Sequence, residues 1–235
     1  MIKETVELAR SDSRPSNQYI VNNLLSEIIE FHGDGVSTDD QTMYTGIGKL
    51  TEQINVMFAA IRKGTTAQEK MKYNFSSPKP SAYRKALHIM QLSEKLGLPL
   101  ITFITTSGAD ASIESEYQGQ SRVIASCISQ MGKMTVPTIA VFNGEGESGG
   151  ALALANTKHI LMLENSVFSV AAPEALFAIL KQSKSEDNWD LLKNIPITSS
   201  QIFKAGLIEK VIPEKNLSKS KMINSLKDNI IDILD

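Results

Sequence analysis

The sequence predicts an α/β fold, and three observations carry that reading. Short apolar runs of strand length alternate with longer segments whose apolar residues recur at helical spacing. Their order is strand, helix, strand, helix, strand, joined by tight, glycine-rich turns. No low-complexity linker and no clean internal repeat divides the 235 residues. One domain spanning 1–235 is therefore expected, with a helical and loop extension over about 1–50 and a helical C-terminal region over about 173–235.

Asn17 to Glu30 places Tyr19, Ile20, Leu24, Leu25, Ile28 and Ile29 in an amphipathic helical pattern. The FHGDGVSTDDQ stretch that follows is dense in loop residues. Ile54–Ile61 reads as a strand, and the polar segment from Thr65 to Ser77 ends where Pro78 and Pro80 forbid a continuous helix. Ser81 is expected to cap a helix carrying Tyr83, Leu87, Met90 and Leu92, with Gly97 closing it. Leu100–Thr106 is a buried strand, and a long helix is expected from about Glu114 to Met134. Thr138–Asn143 is the next strand, ALALAN begins a helix, and His159–Leu163 and Val167–Val170 are short strands. Beyond Pro173 helices dominate: TSSQ at Thr198–Gln201 has capping-box spacing, Gly206 is a helix stop, and Leu217 to Leu234 carries an apolar stripe suited to core or subunit contact.

Composition narrows the function. The chain is 42% hydrophobic and 21% charged, as soluble globular proteins are, and its net charge of -2 argues against a general grip on nucleic acid or an anionic membrane. The longest apolar runs are too short to span a bilayer. Lys3, Glu4 and Glu7 leave no secretory signal visible, so a cytoplasmic protein is expected. A single cysteine, Cys127, excludes an internal disulfide and a thiolate-rich zinc site, and its VIASCISQM setting suits a buried small hydrophobe. His32, His88 and His159 are scattered, so no protein-bound catalytic metal is expected.

Chemistry is sought at two strand ends, TTSGADAS (Thr105–Ser112) and NGEGESGGALAL (Asn143–Leu154). Glycine lets a ligand approach the backbone closely, and a helix N-terminus adds unpaired N–H groups with partial positive charge. Each turn is a candidate oxyanion hole. Dinucleotide and P-loop readings fail for want of GxGxxG spacing and of the Walker lysine. Gly146–Gly150 formally satisfies GxSxG, but no acid separates Ser148 from His159, the only later histidine, so a hydrolase triad fails. A Ser–Lys protease with Ser148 or Ser107 as nucleophile stays open. A purely architectural role would suffice for one glycine turn; two at successive strand ends point to a site.

At these residues the chain resembles a known family over nearly its whole length. VELARSDSRP, YI, FHGD and DD, then NF with YRKAL, PLITFITTSGA, E…GQS.VIA, VP.I…GEG.SGGALAL, MLENSVFSV..PE and T…G.I…IPE occur in the order of the acetyl-CoA carboxylase carboxyltransferase α subunits. The resemblance implies a crotonase-like spiral of ββα units with a helical C-terminal region. It implies a β subunit of the same fold that carries a zinc ribbon and most acyl-CoA contacts, in an α2β2 assembly, unless the chain self-associates as a dimer. Biotin carboxylase and the biotin carboxyl carrier protein complete the set of partners, and the carrier supplies carboxybiotin as the cofactor. The implied reaction moves the carboxyl group to acetyl-CoA, giving malonyl-CoA for fatty-acid synthesis. Loss of that group leaves negative charge on the ureido oxygen, which backbone amides stabilise; the partner holds the enolate oxygen. The expected N–H donors are Gly149 and Gly150, with Gly108 and Ala109 in the neighbouring turn. Ser107, Gly144, Gly146, Glu147 and Ser148 are the expected substrate-binding residues.

The chain departs from the family pattern mainly at the turns. DTPGAYPG has become TTSGADAS, which changes Thr105, Ser107, Asp110, Ala111 and Ser112; GEGGSGG has become GEGESGG at Glu147; Gly35 and Ala175 also differ. The resemblance also leads to the expectation of a longer N-terminal helix and a GGAH-type tail, and these 235 residues begin and stop short of them. If Glu147 points inward its carboxylate opposes an anion, and if its position needs positive φ it is strained. Two alternatives follow: a catalytically degenerate crotonase-fold paralogue or assembly partner, and a stand-alone acyl-CoA enzyme.

Overall fold

The computed structural model describes residues 2–179, 189, 192–215 and 217–235. Among them, eight strands form one mixed sheet: β1 (Ser26–Phe31), β2 (Met43–Lys49), β3 (Asn55–Ile61), β4 (Leu100–Thr106), β5 (Thr138–Glu147), β6 (His159–Leu163), β7 (Val167–Ser169) and β8 (Lys210–Ile212). The order is β1-β2-β3-β4-β5-β6-β8, with β7 paired to the C-terminal end of β5. β1 to β3 pair antiparallel, and every pairing from β3 onward is parallel.

Parallel strands covered on both faces need apolar residues in both registers, and β4 and β5 have them. Leu100, Ile104, Ala140 and Phe142 enter one core with α4 (Pro80–Leu96), α6 (Gln120–Met131) and α7 (Ser148–Ala155). Ile101, Phe103, Ile139 and Val141 enter the other with α2 (Asn17–Leu24) and α10 (Lys219–Leu234). A third cluster packs α1 (Ile2–Arg10) and α8 (Pro173–Ile179) around Val167. The stripe of Met222, Ile223, Leu226 and Ile230 is thus core.

Several expected boundaries moved. The helix expected through Glu30 stops at Leu24, and Ile28 and Ile29 lie in β1, where Ile29 pairs with Ile47 of β2. Sheet pairing overrides a helical pattern there, and β2 carries no strong strand signal because Gly46 and Gly48 interrupt it. Gly46 is required: a Cβ there would sit 2.3 Å from the Ile29 carbonyl oxygen. Ser81 does not cap α4; Lys79 is the N-cap and Pro80, whose φ is already helical, opens the helix. The long helix expected over 114–134 is two, α5 (Ile113–Tyr117) and α6, because Gly119 at φ 85° breaks the ladder between them. The polar segment 65–77 holds a short helix, α3 (Ala67–Lys72), started by a Thr66–Glu69 capping box.

Other features match the expectation. Gly97 and Gly206 are left-handed at helix ends, and Thr198 and Gln201 form the reciprocal cap of α9 (Ser199–Lys204). The helical expectation beyond Pro173 covers positions 180–188, 190 and 191, which lie outside the described residues, and β8 interrupts it further on.

The paired motifs near the N-terminus also find a structural reason. Arg84 holds Asp34 at 2.7 Å, and Lys85, 2% exposed, holds Asp39 at 2.6 Å. HGD, DD and YRKAL therefore form one polar clasp between a loop and α4.

Leu226 is fully buried, so Leu226→Ala should lower stability by about 2–5 kcal/mol. Leu207→Ala, at a side chain 62% exposed, should change it by no more than about 0.5 kcal/mol. Urea midpoints of the two variants check this; equal effects would contradict the placement of α10 in the core.

Candidate active site

β4 and β5 are neighbours in parallel register from Leu100↔Thr138 to Thr106↔Gly146. Their C-terminal ends therefore deliver the two glycine turns side by side, at the end of the sheet where α/β proteins bind ligands. A cavity of about 540 Å³ opens there, lined by Ser107, Gly108, Ala109 and Asp110 of the first turn and Glu147 to Gly150 of the second. Gln120, Ile124 and Ile128 of the α6 side and Ala171, Ala172 and Ala175 of the α8 side complete its wall.

The contact between the turns is close. A Cβ on Gly150 would lie 2.5 Å from the Ala109 nitrogen, 2.8 Å from the Tyr83 hydroxyl and 3.1 Å from the Gly108 carbonyl carbon. No side chain fits, so Gly150 is a point of close backbone approach between the turns. Tyr83, fully buried, donates its hydroxyl to the Gly150 carbonyl at 3.0 Å. Burial pushes its phenol far above the usual range, keeping it a donor.

Gly149 and Gly150 stand in the first turn of α7, where no carbonyl of the helix itself reaches an N–H. Gly108 differs: at φ 125° its N–H donates to Thr106 Oγ1 at 3.0 Å. Its N–H, expected as an oxyanion donor, thus already has an acceptor within its own turn. Ala109 remains beside Gly150 on the cavity wall.

Gly144 and Gly146, expected to bind substrate, lie within β5 and do not line this cavity. Each makes room for a packed neighbour: a Cβ on Gly144 would meet Thr105 Oγ1 at 2.7 Å, and one on Gly146 the Phe142 ring at 2.4 Å. Ser107 lies at the exposed rim, with its Oγ 3.4 Å from Ser77 Oγ.

The strained residue is Ser148, not Glu147. Glu147 ends β5 in extended backbone at φ -117°, whereas Ser148 takes φ 59° at the start of α7. This is the sharp strand-to-helix bend that the GxSxG spacing suggested, but among the described residues no histidine or lysine lines the cavity. Cys127 is buried, its thiol pushed up to about 12 by burial, and its Sγ donates to the Tyr83 carbonyl at 3.3 Å.

Glu147 is 1% exposed, and neither carboxyl oxygen has a hydrogen-bond partner among the described residues. Burial first, and then the nearby Glu145, push its carboxyl up to about 8; Arg10 opposes them only in part. Arg10 is already engaged by Glu145 at 2.7 Å and by Glu174 at 2.7 Å. Burial thus favours the neutral acid, which does not oppose an anion as an ionised carboxylate would. Asp110 goes the other way: against a burial effect, hydrogen bonds from Ser112 and Ser115 hold its carboxyl below the usual range.

Sequence reasoning missed two contributors. Gln120 is 2% exposed, donates to the Pro78 carbonyl at 2.9 Å and has no partner for its Oε1 among the described residues. Its only signal was its place after Gly119 in the GQS motif. Asn74, Phe75 and Ser76 all have positive φ, and the Ser76 carbonyl accepts the Thr106 hydroxyl at 2.6 Å. Nothing local announces that support of the first turn. Among the described residues, no group of His, Cys, Asp or Glu is placed to hold a metal, and no helix is long and apolar enough to cross a membrane.

Comparison with known proteins places this geometry. The model of the family described as acetyl co-enzyme A carboxylase carboxyltransferase-like matches residues 2–235. The acetyl-coenzyme A carboxylase carboxyl transferase subunit alpha of Cyanidioschyzon merolae is 39% identical over 235 residues, covering 97% of this chain and 74% of that protein. The subunit of the same name from Streptococcus thermophilus is 40% identical over 228 residues, covering 96% and 88%. Among solved structures, the transcarboxylase 12S hexamer core with methylmalonyl-coenzyme A bound superposes with a TM-score of 0.76 at 14% identity. That match takes in 99% of this chain and 43% of the transcarboxylase chain, and it shows the fold alone, which is crotonase-like. The chain belongs to the acetyl co-enzyme A carboxylase carboxyltransferase-like family.

Proposed function

We propose that this chain is the α-type half of a biotin-dependent carboxyltransferase that converts acetyl-CoA to malonyl-CoA. The observation that carries the reading is the convergence of two glycine turns on one cavity, with Gly150 against the Gly108–Ala109 backbone. The family membership supports the same reaction class. Carboxybiotin on its carrier protein is the carboxyl donor, and negative charge gathers on the ureido oxygen as the group leaves. The peptide N–H groups of Gly149 and Gly150 donate to that oxygen, aided by the positive end of α7. Ala109 closes the neighbouring wall, and Gly108 shapes its turn. Tyr83 fixes Gly150 from below. Donors held in place before the reaction cost no reorganisation when charge develops, which is why no side-chain triad is required.

Acyl-CoA recognition and the enolate oxygen belong, on this reading, to a zinc-ribbon β subunit in an α2β2 assembly; biotin carboxylase regenerates the donor. Lipid synthesis in the cytoplasm is the corresponding setting.

The chain alone should transfer nothing, and the complex with its β partner should form malonyl-CoA from acetyl-CoA and carboxylated carrier protein. Radiolabel transfer measures this, and a well-formed but inactive complex would contradict it. Gly150→Ala forces the turns apart and should lower kcat about 10²–10³-fold, as loss of one oxyanion donor does. Ser148→Gly relieves the backbone and should keep most of the rate. A loss of about 10⁶-fold would instead mark Ser148 as a covalent nucleophile.

A further inference from the structure

Glu147 stands where the family pattern has glycine, and among the described residues its carboxyl has no hydrogen-bond partner. A buried polar group without a hydrogen bond is costly, so a site that keeps one invites a ligand to complete it. Glu147 is among the residues that line the cavity, and both of its carboxyl oxygens are buried, so a ligand there meets the carboxyl only as the side chain turns toward it. We propose that Glu147 is a catalytic residue of this chain: its carboxyl O–H donates a hydrogen bond to the negatively polarised ligand oxygen, beside the peptide N–H groups of Gly149 and Gly150.

The surroundings decide the protonation state on which this depends. Glu145, two residues earlier on the strand, shares Arg10 with Glu174 of α8, so among the described residues the one cation acting on Glu147 is matched by two carboxylates. Asp110 and Glu116 also line the cavity, and among the described residues no cation does. An ionised Glu147 would have no compensating charge, whereas the neutral acid supplies a donor. A buried carboxylic acid kept neutral to serve an oxyanion is an established solution in enzymes. Gln120 adds the complementary group, because its unpartnered Oε1 can accept an N–H. Donors for one oxygen beside an acceptor for an adjacent N–H fit a cyclic urea, the reacting end of biotin. The identity of that ligand rests on the carboxyltransferase reading; the donor role rests on the geometry.

Transfer by the α–β complex is measured across pH for the wild type, Glu147→Gln and Glu147→Ala. The carboxyl titrates near 8, and a required proton is present below that pH and lost above it. The wild-type kcat should therefore fall above about pH 8, with KM little changed. Glu147→Gln keeps a neutral N–H donor, so it should retain most of the rate and lose the alkaline fall. Glu147→Ala should lower kcat about tenfold or more at every pH. An alanine variant with the wild-type rate and pH profile would overturn the proposal. A second measurement needs only this chain: the infrared carboxylic-acid band, assigned by subtracting the Glu147→Gln spectrum, should move to lower frequency when free biotin is added at neutral pH. A band that biotin leaves in place, or no acid band at neutral pH, would overturn it as well. An inactive wild-type complex would sink the carboxyltransferase reading instead, and the infrared result would still decide the role of Glu147.

Discussion

The site depends on a contact that tolerates no side chain, the seat of Gly150 against the backbone of Gly108 and Ala109. Parallel pairing of β4 and β5 brings the strand ends together, but pairing alone leaves the following turns free to diverge. The missing Cβ at Gly150 and the hydroxyl of Tyr83 fix their distance. α4, which carries Tyr83, is in turn tied to the 34–40 loop through Arg84 and Lys85. A distant polar clasp and a local glycine thus serve the same geometry.

The second constraint is electrostatic. The cavity is lined by acidic side chains and by peptide dipoles, with no cation among its described residues, yet the proposed chemistry requires it to receive negative charge. Two devices reconcile these facts. The N-terminus of α7 offers N–H groups whose partial charge needs no counter-ion. Burial favours the neutral form of Glu147, so that in its proposed role the carboxyl adds a hydrogen bond instead of repulsion. The N-terminal segment supports this end of the sheet: Arg10 bridges Glu145 and Glu174, and Arg14 donates to the Asn143 carbonyl at 2.9 Å.

Much of the fold was legible because its central strands are apolar in both registers and its helix ends carry strong local signals. Leu100–Thr106 and the Thr198–Gln201 cap are of this kind. What failed was decided at long range. Ile28 and Ile29 satisfy a helical pattern equally well, and only pairing with a glycine-bearing neighbour makes them strand. At the site, spacing marked both turns but could not separate glycines that face a cavity from those that accommodate a packed ring. Gly146 yields to Phe142, whereas Gly150 yields to backbone. Nor could it show that Ser148 takes the positive φ, leaving Glu147 extended and buried. Gln120 and the 74–76 turn were invisible as contributors because their partners lie tens of residues away.

The central claim is that the amides of α7's first turn receive the ligand oxygen. Amide chemical shifts of the labelled chain, followed as free biotin is titrated into its complex with the β partner, address it directly. The account predicts that the Gly149 and Gly150 amide protons move downfield and saturate together, with the Gly108 amide, already donating to Thr106, moving far less. Unchanged Gly149 and Gly150 resonances at saturating biotin would contradict it.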